Sequence, residues 1–168
     1  MDVRHVSVNL DDYLLDQEGQ HWSELLTDWH FLLPREFTIW LVNRFGDLFI
    51  VSDDGCVHML DVGRGSLEKL ASSREDFATQ IDEGNNANQW LMIPLVDDCV
   101  RVGLTIGTGQ CYSFKIPPVL GGEYSVSNTE VCDLSVHYSV LGQIHSQIKD
   151  LPDGTRVNIR LDKGEGRA

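Results

Sequence analysis

Four cysteines and six histidines are the residues of this 168-residue chain best suited to chemistry. The cysteines are Cys56, Cys99, Cys111 and Cys132. None forms a Cys-x-x-Cys pair and each stands in apolar surroundings, which reads as buried free thiols in a reducing compartment. Cys111 beside Tyr112 has the form of a nucleophile awaiting a distant histidine. Its neighbours Tyr112, Phe114 and Ile116 point instead to a buried strand, and nothing nearby in sequence would lower the thiol pKa. The histidines are His5, His21, His30, His58, His137 and His145. No two stand four apart on one helix, so the zinc-protease spacing is absent. His137 and His145 share a face of a predicted helix, with Cys132 or Asp133 nearby. Eight residues put them about 12 Å apart along the axis, too far for one ion without a third element.

Two acidic pairs are candidate cation holders. Asp53-Asp54 suits a hairpin tip and Asp97-Asp98 the solvated face of a helix; neither has EF-hand spacing. Gly107-Thr108-Gly109-Gln110-Cys111 lacks the third glycine of a dinucleotide fingerprint and the Gly-Lys-Ser/Thr of a phosphate loop. It also precedes a strand, whereas phosphate loops open helices, so it reads as a turn. Gly121-Gly122-Glu123-Tyr124, after Pro117-Pro118, is the most unusual stretch. Adjacent glycines imply positive φ or close backbone contact. It reads either as a recognition loop displaying Glu123 and Tyr124 or as a tight connection into the last helix.

The elements that must position these residues follow from periodicity. Residues 11–33 are predicted to be helical, started by Asp11 and Asp12, divided at Gly19 and ended before Pro34. Trp22, Leu25, Leu26, Trp29 and Leu33 supply one apolar face. Strands are expected over 37–45, 47–52, 56–62 and 66–71, turning at Asp54-Gly55 and Gly63-Arg64-Gly65 into an antiparallel meander. Ser73 with Asp76 makes a capping-box variant for a helix from Arg74 to about Glu83, with Phe77 and Ile81 inward and Gly84-Asn85-Asn86 as its stop. Pro94 opens a further helix carrying Leu95, Val96, Cys99 and Val100 up to Gly103. A strand is expected over 111–116 and an extended segment or strand over 125–132. Asp133 or Ser135 would cap a final helix through Ile148, with Val136, Val140, Leu141, Ile144 and Ile148 inward. Thr155–Leu161 is a candidate last edge strand, and residues 163–168 should fray.

The net charge is −13, and it is unevenly placed. Residues 155–168 carry four basic and two acidic side chains, so the excess of acid lies in residues 1–154. Such a field repels phosphate backbones and anionic lipid and attracts basic protein partners. The first residues show no signal-peptide pattern and no apolar run reaches the length of a membrane span, which predicts a cytoplasmic protein.

A resemblance appears in Phe45-Gly46-Asp47-Leu48-Phe49, in Val57–Asp61, in Cys111–Asn128 (CYSFKIPPVLGGEYSVSN), and in Asp133-Leu134 leading to Leu141–His145 (LGQIH). Together these resemble the C-terminal domain of immunity proteins that protect bacteria against a type VI-secreted DNase, over about residues 33–157. The resemblance implies a non-enzymatic protein that inhibits a toxin by binding it, and it brings no catalytic residues.

The expected fold is α+β, a single domain with a curved antiparallel sheet of four to six strands and helices packed on one face. Residues 1–32 would be an N-terminal helical segment packed on the domain, 33–157 the immunity-like domain and 158–168 a flexible tail. No catalytic residue, metal site or cofactor is expected. Binding is assigned to Glu123, Tyr124, Asp53 and Asp54, toward a protein partner such as a basic, DNase-like toxin. Two alternatives stay open: a regulatory domain for a small molecule or peptide, and an enzyme with a Cys111- or His-centred pocket.

Overall fold

A computed structural model describes residues 9–162. The predicted frayed end at 163–168 lies outside them. The class is α+β. A four-stranded antiparallel meander is formed by β1 (Phe37–Val42), β2 (Leu48–Ser52), β3 (Val57–Asp61) and β4 (Ser66–Ala71), in that order. A separate antiparallel pair joins β5 (Gln110–Phe114) to β6 (Thr129–Asp133). Five helices accompany them: α1 (Trp22–Leu25), α2 (Arg74–Gln80), α3 (Asn86–Trp90), α4 (Ile93–Arg101) and α5 (Leu134–Ile148).

The meander is covered on both faces, not one. Successive strand residues point to opposite sides. Leu48 and Ile50 of β2 therefore pack with Trp29, Leu134, Tyr138 and Leu141, the face under α5. Phe49, between them in sequence, packs with Val57, Met59, Phe77 and Leu91, the face under α2. A register shift between Ile39 and Leu41 lets Trp40 and Leu41 both join the α2 side. A third cluster joins Phe45 to Leu95, Val96 and Cys99 of α4 and to Tyr112 and Phe114 of β5.

What ties these layers together is the five-residue β1–β2 connection, Asn43-Arg44-Phe45-Gly46-Asp47. Asn43 and Asp47 are buried polar residues, and such groups are costly unless bonded. The Asn43 Oδ1 accepts from the Phe45 and Asp47 amides, each at 3.0 Å, and its Nδ2 donates to Asp47 Oδ2 and to the Trp90 carbonyl, each at 2.9 Å. Asp47 Oδ1 accepts from the Val62 amide at 2.9 Å, at the end of β3. The connection's carbonyls are equally occupied. The Tyr112 amide donates to Arg44, the His137 Nε2–H to Phe45 and the Tyr138 hydroxyl to Gly46, at 2.8, 2.8 and 2.7 Å. Gly46 has φ +81°, and a Cβ there would crowd the His137 ring at 3.0 Å. Glycine is required at that turn.

Several expectations change. Residues 11–33 do not form helices of the predicted length. Leu10–Tyr13 is a 3₁₀ turn capped by Asn9, not by Asp11 or Asp12. Leu14 is extended and bridges Asn43, Gly19 takes φ +78°, and only Trp22–Leu25 is α-helical. Tertiary pairing overrides local preference here. The Trp29 indole donates to the Tyr138 carbonyl at 2.9 Å, and Gly142 lets that turn press onto α5. α2 ends at Gln80, before Gly84-Asn85-Asn86, and a short further helix, α3, opens at Asn86. Val100 and Val136 are exposed. The inward stripe of α5 is Leu134, His137, Tyr138, Leu141, Ile144 and His145.

Residues 155–162 form no strand. Instead, Gln147 exchanges two hydrogen bonds with the backbone of Arg160, and Gln143 does the same with Asp162. Four helical residues rise about 6 Å and two extended residues about 6.6 Å, so glutamines four apart match alternate residues of an extended chain.

Replacing Asn43 by Ala strips partners from two amides, a carbonyl and a carboxylate at once. The expected loss is about 3 kcal/mol or more of unfolding free energy. It should be read as a lower urea midpoint at unchanged m-value.

Candidate functional site

The turn that unites the layers also floors a cavity of about 450 Å³. Alternation along β3 puts Met59 and Asp61 on its side of the sheet, and Glu68 of β4 stands opposite Met59. Trp90 at the end of α3 and Met92 before α4 form the facing wall; Phe114 and Tyr124 close a third side. Asp47 and His137 line its depth.

Tyr124 is 48% exposed and meets Phe114 edge-on at 5.1 Å between ring centroids. Its place depends on the chain path from Ile116 to Asn128. Pro118–Leu120 makes a 3₁₀ turn and Gly121 takes φ +97°. Gly122 packs directly on the Ile116 carbonyl, where a Cβ has no room. The Asn128 side chain then staples the loop, accepting from the Ile116 amide at 3.0 Å and donating to the Ile116 and Glu123 carbonyls, each at 2.9 Å. The loop leans on Gly63, where a Cβ would stand 3.1 Å from the Tyr124 hydroxyl. Its outer surface shows Ile116, Val119 and Leu120.

Charge in the cavity is lopsided. Asp47, Asp61 and Glu68 face a single cation, Arg64. Arg64 is largely exposed and its Nε lies 3.8 Å from Asp61 Oδ2, a loose pair. Burial, then the neighbouring charge of Asp61, pushes the Asp47 carboxyl well above the usual carboxylate range. Burial also raises the Tyr124 hydroxyl, with Asp61 and Asp47 adding to it.

His137 is held neutral. Burial pulls its pKa down to about 4, against a smaller opposing effect of the Phe45 carbonyl. Its Nε2–H serves that carbonyl, so Nδ1 accepts from the Ser113 hydroxyl at 2.8 Å. His145 donates through Nε2 to the Val62 carbonyl at 2.9 Å, and burial lowers its pKa too. Both histidines are therefore struts. Cys111 is fully buried opposite Cys132 in the β5–β6 register, and burial drives its thiol pKa well up. A thiolate there is disfavoured.

Glu123 and Tyr124 sit beside this cavity, Tyr124 in its wall. Asp53 and Asp54 do not. They occupy the β2–β3 tip, the opposite end of strands that turn at Asp47 and Asp61. Asp54 is committed to the turn: it accepts from the Ser52 hydroxyl at 2.6 Å and the Cys56 amide at 3.0 Å, and these bonds hold its pKa down to about 2. Asp97 accepts from the Tyr13 hydroxyl at 2.7 Å and Asp98 pairs with Arg101 at 2.7 Å. Gly107–Gln110 is a turn into β5. Among the described residues no group of three or more His, Cys, Asp or Glu side chains is placed to hold a metal ion. No described helix is long and apolar enough to cross a membrane.

Asp47, Asp61, Arg64, Glu68, Trp90 and Met92 were not singled out as site residues from sequence. One signal was available: Asp47 and Asp61 are charges bounding otherwise apolar strands. Met92 carries another mark, a left-handed φ of +52°, which the sequence does not advertise.

Fold and cavity together define a small α+β protein with an acidic, aromatic-walled recess. Residues 71–145 match the family described as T6SS immunity protein Tdi1, C-terminal. The matched stretch runs from the last residue of β4 into α5. It contains the Cys111–Asn128 loop region and Leu141–His145, and it is shorter than the 33–157 the resemblance implied. No curated protein matches the chain.

The neutral state of His137 has a pH signature. Its folded pKa is depressed below the unfolded value, so its contribution to stability is intact above about pH 6.5 and is lost as pH falls toward about 4. Asp47, with a raised pKa, acts in the opposite sense, so the comparison must isolate the histidine. Between pH 7 and 4 the stability advantage of wild type over His137→Gln should shrink by about 3 kcal/mol. Urea unfolding at the two pH values checks this; an unchanged difference contradicts it.

Proposed function

We propose that this chain is an immunity-type protein that neutralises a type VI-secreted toxin by binding it, without chemistry of its own. The match of residues 71–145 carries the reading. The charge supports it. A DNase-like toxin holds DNA through a basic surface, and a protein of net charge −13 is suited to cover that surface and to find it quickly. On this reading the binding face is the recess with its stapled loop, including Glu123 and Tyr124, and the Asp53-Asp54 tip lies away from it. The protein acts in the cytoplasm, where the toxin's DNA target is.

Co-expression with the toxin encoded beside its gene should restore growth, and the two proteins should elute as one complex. Binding should weaken as ionic strength rises from about 0.05 to 0.5 M, since screening shortens the reach of the acidic field. Failure to rescue growth, with no complex on gel filtration, overturns the proposal.

A further inference from the structure

The recess is more specific than an acidic surface. Asp47 is only 3% exposed yet lines it. Each of its carboxylate oxygens accepts one hydrogen bond, from Val62 and from Asn43. Its raised pKa favours the neutral acid, so the pairing charge of the recess rests on Asp61 and Glu68. Asp61 uses Oδ1 to accept from the Arg64 amide at 2.9 Å, and has only the loose 3.8 Å contact on Oδ2. Glu68 makes no ion pair among the described residues. Asp61 and Glu68 thus line the recess with one largely exposed cation, Arg64, while Trp90, Met92, Phe114 and Tyr124 supply apolar walls.

We infer that this recess is a socket for an arginine side chain presented by the basic partner. The inference rests on the binding role proposed above and names its anchor. A guanidinium is planar and weakly hydrated; its face stacks on aromatic rings while its edge pairs with carboxylates in forked geometry. An ammonium is a strongly hydrated point charge and uses the flat walls less well. Arginine is among the side chains enriched at interface hot spots, where apolar contacts exclude water, and Met59, Pro94 and Leu95 of the cavity lining add such contacts. The volume, about 450 Å³, suits a side chain with its hydration partly stripped.

The test uses the full ¹⁵N-labelled chain with N-acetyl-arginine methylamide as probe and the lysine analogue as comparison. The arginine probe should shift the Trp90 indole signal and the amides of Asp61–Glu68 and Tyr124, with a dissociation constant on the order of millimolar, as befits one side chain. The lysine probe should bind about fivefold more weakly or worse. Asp61→Asn/Glu68→Gln, near-isosteric at accessible positions, should abolish the shifts. Asp53→Asn/Asp54→Asn removes the same charge at the far hairpin tip and should leave them unchanged. No shift at these signals, equal binding of lysine, or equal loss in both double variants overturns the socket. The same variants assayed against the toxin separate the two ideas. A toxin complex that tolerates Asp61→Asn/Glu68→Gln removes the socket and leaves the immunity reading standing. Absence of any complex with wild type removes the immunity reading, and the probe titration alone then decides the socket.

Discussion

The buried hydrogen-bond knot of Asn43 and Asp47 is the constraint on which the other layers depend. A five-residue hairpin connection would ordinarily sit in solvent with its polar groups hydrated. Here it is enclosed, and each of its groups must find a protein partner or cost free energy. The partners come from everywhere: Trp90 ends α3, Tyr112 lies on β5, Val62 follows β3, and His137 and Tyr138 lie on α5. The sheet, the small strand pair and the long helix are therefore registered against one another by directional bonds, where apolar packing alone would tolerate sliding.

The recess follows from this arrangement. Bringing α3 and its Trp90 to the end of the sheet, while Phe114 and the stapled loop approach from β5, leaves a gap over Asp47 that no side chain of the chain fills. Burying Asp47 to tie the knot places a carboxylate at the floor of that gap. The fold and the proposed socket thus draw on one residue. The segment matched to the immunity family supplies the aromatic wall, the loop and α5, while the carboxylates come from the meander before it.

Local chemistry made much of the scaffold legible. Asp54-Gly55 and Gly63-Arg64-Gly65 marked the hairpins, Ser66–Ala71 was recovered with its limits, and Ser73 does cap α2 through the Asp76 amide. The losses came where distant residues decide. Leu14 and Leu15 pair with β1 and so cannot continue a helix. His137 and His145 count as polar in any hydropathy pattern, yet both are buried on the inward stripe of α5 because carbonyls of the turns await them. The site was half legible. Gly121-Gly122-Glu123-Tyr124 stood out because paired glycines demand a backbone reason, and the loop is tightly stapled, with Tyr124 half-exposed on it. Of the equally conspicuous Asp53-Asp54 pair, Asp54 bonds within its own turn. Asp61 showed only as a charge closing an apolar strand and Glu68 gave no local signal, since strand pairing alone brings them to one edge.

Amide hydrogen exchange of the chain alone and bound to the proposed toxin partner tests the binding face most directly. Protection on complex formation should concentrate in residues 61–68, 88–92 and 116–124, which border the recess and its loop. Protection confined to the 52–56 hairpin tip or to the outer face of α5 around Val136, with those three segments unchanged, would contradict it.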